Sequence, residues 1–106
     1  MLNEAKIKLK EKEYTISKSF RSLMLFEELS GKSIDKMKES ITDLMLLLYC
    51  MLKVTNKETF KYTLDEFIDV VDEVTEKGDE KPMDDFNNFL LKEATPENKK
   101  KVVKKQ

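Results

Sequence analysis

Nine consecutive residues, Leu44-Met45-Leu46-Leu47-Leu48-Tyr49-Cys50-Met51-Leu52, carry no charge in a chain of which 39% is Asp, Glu, Lys or Arg. The run contains no Val, Ile or Thr and no Gly or Pro, so a helix is its natural conformation. A helix that is apolar around its whole circumference has to be covered around its whole circumference. Nine residues are too few to cross a membrane, which takes about 18. The other elements must therefore wrap this segment, or a partner must.

Those elements are readable in turn. Ile7-Lys8-Leu9-Lys10 alternates apolar and basic residues, and Tyr14-Thr15-Ile16-Ser17 alternates again after the charged turn Glu11-Lys12-Glu13. The period of two predicts a β-hairpin over 5–17, with Ile7, Leu9, Tyr14 and Ile16 inward and Lys6, Lys8 and Lys10 in water. An isolated hairpin is marginal and needs a helix to lie on.

A first helix starts at Ser17 or Ser19 and stops at Gly31. Phe20, Leu23 and Met24 share a face that Leu25, Phe26 and Leu29 widen, which predicts burial on more than one side. Ser33–Lys38 reads as a short helical turn. Ser40, with Asp43 three residues on, caps the helix that holds the uncharged run. Thr63-Leu64-Asp65-Glu66 is a capping box for a third helix, on which Leu64, Phe67, Ile68, Val71 and Val74 follow the helical period. Gly78 ends it. Pro82 suits the first turn of a fourth helix with Met83, Phe86, Phe89 and Leu90 in a stripe.

The expected fold is α+β, mainly α: one domain over 1–96, an N-terminal hairpin packed on about four helices, followed by a disordered lysine-rich tail at 97–106. Two glycines and two prolines in 106 residues agree with long helices. The N-terminus has no apolar stretch of signal-peptide length, and a single cysteine suits a reducing compartment. The expected location is the cytoplasm, with no membrane partner.

The residues for most catalytic plans are missing. There is no histidine, which removes the commonest general base, imidazole triads and most zinc sites. Cys50 cannot form an intrachain disulfide and sits in the most apolar segment, where thiols pack rather than react. The two glycines are too far apart for a phosphate-cradling loop. The chain is expected not to be an enzyme, with no cofactor and no metal.

Charge is segregated. Residues 58–85 hold eleven acidic groups against three basic ones, while 97–106 hold five lysines against Glu97. The acidic block opposes a nucleic-acid surface there, and the tail has no arginine or aromatic residue for stacking on RNA. Asp65, Asp69, Asp72 and Glu76 fall on one face of the third helix. They have neither the alternating ligands and glycine of a calcium loop nor the histidines of a di-metal bundle. A solvated face or a surface for a basic partner remains.

The uncharged helix itself admits two readings. It is the centre of the domain, or it keeps an open face for a partner or for a second copy of the chain. On the second reading the contact residues are Met45, Leu46, Tyr49, Met51 and Leu52, with Phe26 from the first helix. Six methionines suit either.

The charged hairpin Lys12-Glu13-Tyr14-Thr15-Ile16 and the stretch Ser19-Phe20-Arg21-Ser22-Leu23-Met24-Leu25-Phe26-Glu27-Glu28-Leu29-Ser30-Gly31-Lys32-Ser33 come first in order. Leu44–Leu52 and Tyr62-Thr63-Leu64-Asp65-Glu66-Phe67-Ile68 follow. This order resembles the tail assembly chaperones of long-tailed bacteriophages and prophages, over residues 6–74. The resemblance implies binding of the largely helical tape measure protein, which such chaperones keep soluble before the tail tube forms. It also implies, in some members, a longer form made by ribosomal frameshifting. The alternative is a small regulatory or adaptor protein of a mobile element, which would bind its partner through the acidic third helix.

Overall fold

The computed structural model describes residues 4–37 and 40–94; the expected lysine-rich tail at 97–106 lies outside the described residues. The architecture is α+β and mainly α, a two-stranded antiparallel hairpin followed by four helices among those residues.

Strand β1 (Glu4–Leu9) pairs with β2 (Lys12–Ser17) in a register that sets Ile7 opposite Tyr14 and Leu9 opposite Lys12. Ile7, Leu9, Tyr14 and Ile16 are all buried, and Lys6, Lys8 and Lys10 are all exposed, as the alternation predicts. Each fully buried apolar side chain of this size stabilises the fold by about 1.5–3 kcal/mol. The turn differs from the expected Glu11-Lys12-Glu13. It consists of Lys10 and Glu11 alone, with φ of 51° and 70°. Two positive φ values make the tight turn whose twist matches that of the strands. Neither residue is the Asn or Gly that usually signals this geometry, so the sequence pattern carries no mark of the turn's position.

Helix α1 (Phe20–Ser30) is capped by the Ser19 hydroxyl, which accepts from the Ser22 N–H, and ends on Gly31 at φ 77°. A short 3₁₀ turn, Ile34–Lys36, leads to α2 (Ile41–Thr55), whose cap is Ser40 accepting from the Asp43 N–H. Thr63 and Glu66 form the full reciprocal capping box of α3 (Leu64–Glu76). Helix α4 (Lys81–Ala94) lies along β1 and buries Phe86 and Phe89.

The predicted two-sided burial of α1 is corrected. Only Ser22 and Phe26 of this helix are buried, while Phe20 is 85% and Met24 64% exposed. The helix meets α2 along the Ser22–Phe26 row. Ser22 is small enough for close approach, and its hydroxyl donates to the Ser17 carbonyl.

The C-terminal end of α2 clamps the hairpin. The Asn56 carboxamide accepts from the Thr15 N–H at 3.0 Å and donates to the Thr15 carbonyl at 2.7 Å and the Leu52 carbonyl at 3.0 Å. Thr15 turns these groups away from β1, and Asn56 takes the place of a third strand at that edge. The Ser17 and Thr55 hydroxyls share a further bond.

Candidate functional site: an apolar groove between α2 and α3

From Leu46 to Leu52 every residue of α2 is buried. Two features close the second half of the helix. The hairpin covers one side, and on the other the segment after Asn56 folds back to bring Phe60 and Tyr62 against it. Phe60 is at the centre of an aromatic cluster, its ring 5.4 Å from those of Tyr14 and Tyr62, 5.9 Å from Tyr49 and 5.8 Å from Phe67. The Tyr49 hydroxyl donates to the Tyr62 carbonyl, so its polar end is satisfied inside the cluster.

The first half of α2 is not closed in this way. Ile41 is 76% exposed, and Met45 is half-buried. Beside them the apolar stripe of α3 divides. Phe67, Val70 and Val74 enter the core, while Leu64, Ile68 and Val71 turn toward α2 without filling the space between the helices. A groove of about 530 Å³ results, lined also by Leu46 and by Met83 of α4. Its polar residues are Thr42, Asp65 and Asp72, and no lysine or arginine lines it. That volume falls within the range of small-ligand and peptide-side-chain sites.

The residues expected to contact a partner separate accordingly. Met45 and Leu46 line the groove. Phe26, Met51 and Leu52 have no exposure, and Tyr49 is held in the aromatic cluster. In this fold these four are core residues. Tyr49, Met51 and Leu52 are covered by the hairpin and the returning segment 56–62, and Phe26 by α2. Cys50 is also buried, and the loss of solvation pushes its thiol up to about 12, well above the range in which a thiolate forms.

Asp65, Asp69, Asp72 and Glu76 are all exposed on one face of α3. Asp65 and Asp72 stand at the lip of the groove, and Asp69 on the same face borders a second concavity with Lys12, Tyr14 and Tyr62. Glu73 is separate: hydrogen bonds and charge from Lys10, and then Lys77, hold its carboxyl below the ordinary value. Among the described residues no three His, Cys, Asp or Glu side chains converge as a metal site would require, and no helix is long and apolar enough to cross a membrane.

The groove's other residues, Ile41, Leu64, Ile68, Val71 and Met83, were legible only as apolar positions. The signal that could have singled them out is the breadth of the α3 stripe. An apolar arc spanning both Val74 and Ile68 is wider than one packing face needs.

Comparisons with protein-family models, with curated proteins and with solved structures found no match.

Proposed function

We propose that this chain is a tail assembly chaperone of a long-tailed bacteriophage or prophage. It binds the tape measure protein in the bacterial cytoplasm and keeps that helical client soluble until the tail tube forms. It works by binding and not by catalysis. The observation that carries this reading is the open groove between α2 and α3, on the element whose uncharged sequence also carries the family resemblance. A client built of long helices exposes apolar stripes before assembly, and an apolar groove between two helices is the complementary surface for one such stripe.

Co-expression with the tape measure protein tests it. The wild-type chain is expected to raise the client's soluble fraction. Ile41→Asp and Met45→Asp are expected to abolish that effect while leaving the thermal melt of the chaperone nearly unchanged. An insoluble client in the presence of the wild-type chain would contradict the proposal.

The exposed carboxylates of α3 favour a second reading, an adaptor of a mobile element that captures a basic partner through Asp65, Asp69, Asp72 and Glu76. Reversing the charge of Asp69 and Glu76, neither of which lines the groove, separates the two. The adaptor would lose its partner, and the chaperone would keep its client.

A further inference from the structure

Some acidic side chains on and near α3 are engaged within the fold. Glu66 closes the capping box, Glu73 pairs with Lys10 and Lys77, and Asp85 pairs with Lys81. Asp65, Asp69, Asp72 and Glu76 have no such partner among the described residues, and of these four Asp65 and Asp72 line the groove. Both are exposed at its lip. They are seven residues apart on one helix, two turns, which places them about 10 Å apart along its axis. Apart from Thr42 the rest of the groove is apolar, and it has no cation in its lining.

We propose that the groove selects an amphipathic helix of a separate protein that carries two cations seven residues apart along one flank of its apolar stripe. One cation sits beside Asp65 and the other beside Asp72, while the stripe packs on Ile41, Met45, Ile68 and Val71. The inference rests on the groove being the client site and adds the chemistry by which it chooses among helices. A stripe alone would fit in many registers; two charges at a fixed spacing fix one.

Other occupants match less well. The lysine-rich segment 99–105 has its apolar residues, Val102 and Val103, adjacent, and its outermost lysines are six positions apart. It offers neither a helical stripe nor the spacing. A second copy would present α1, whose exposed Phe20 and Met24 are flanked by Arg21 but also by Glu27 and Glu28. That face would set carboxylates against carboxylates.

The test uses the full chain and a synthetic helical peptide of about four turns, with leucines at coiled-coil spacing and lysines seven residues apart on one flank. A twin peptide carries glutamates at those two positions. Fluorescence anisotropy should show the lysine peptide bound about tenfold more tightly than its twin, with the difference shrinking as salt is added. The variant Asp65→Lys/Asp72→Lys should prefer the glutamate peptide. The neutral pair Asp65→Asn/Asp72→Asn, which puts no positive charge in the first turn of α3, should lose the preference without inverting it.

Equal affinity for both peptides, or no binding of either, overturns the inference. So does a tenfold gain in peptide affinity when residues 97–106 are removed, which would make the chain's own tail the occupant. A dimer in sedimentation that Met45→Asp dissociates would assign the groove to a second copy and overturn it as well. If the peptides bind equally while Ile41→Asp still abolishes client solubilisation, the charge selection falls and the chaperone reading stands.

Discussion

Ile41 and Leu52 are aliphatic residues of the same helix, eleven positions apart; the first is 76% exposed and the second has no exposure. Nothing in their own chemistry explains the difference. The second half of α2 lies beneath the hairpin and the returning segment around Phe60, and Asn56 ties that segment's start to the edge of β2. The first half extends past this cover; Asp43 on one side is buried and paired with Lys32 at 2.9 Å, while Ile41 and Met45 on the other face the Ile68 and Val71 side of α3. One helix thus serves two ends. Its second half is core, and its first half is one wall of a groove.

Substitutions on the two halves should separate stability from binding. The largest effect is expected from Phe60→Ala, which opens a cavity where four aromatic rings meet; it should cost about 3–5 kcal/mol in a denaturant melt. Met51→Ala should cost about 2–5 kcal/mol for the same reason. A loss below about 1 kcal/mol for either would mean that the second half is not wrapped as described.

Asn56→Ala comes next. It leaves the Thr15 N–H and carbonyl without their partner at a strand edge, at a cost of about 1–3 kcal/mol. It should also speed amide exchange at Thr15, which hydrogen-exchange mass spectrometry reads directly.

Met45→Ala is expected to cost less than about 1 kcal/mol, because the side chain is half-buried at the groove and its loss leaves no closed cavity. Its effect should appear in client binding instead. The reverse pattern, a stability loss matching that of Met51→Ala, would erase the distinction between the halves.

Smallest in magnitude and opposite in sign is Glu11→Gly. It relieves a positive φ of 70° in the hairpin turn and should raise stability by about 0.5–1 kcal/mol. Cys50 gives an independent probe of the covered half. Its thiol should react with a disulfide reagent only as fast as the chain unfolds, since it is buried and its ionisation is pushed up to about 12.

Much of this architecture could be read from residues that act locally. The caps at Ser19, Ser40 and Thr63, the glycine at 31 and the alternation of Ile7, Leu9, Tyr14 and Ile16 each depend on a neighbour a few positions away, and each was found in the structure. The misplaced hairpin turn is the exception that fits the rule, because Lys10 and Glu11 carry no turn signal. What remained out of reach depended on long-range packing. Phe20, Met24 and Phe26 look alike as apolar residues on one short helix, and only the position of α2 decides that Phe26 alone is buried. Likewise, Met45 and Met51 share a sequence context, and the fold-back of residues 56–62 assigns them to different environments.

Binding of the client on the first half of α2 is best tested by methyl NMR of the full chain titrated with a client segment. The methyl resonances of Ile41, Met45, Leu64, Ile68, Val71 and Met83 are expected to shift together and saturate at one affinity, while those of Met24 and Leu29 on α1 stay in place. Shifts confined to Met24 and Leu29, with the groove methyls unmoved, would contradict it.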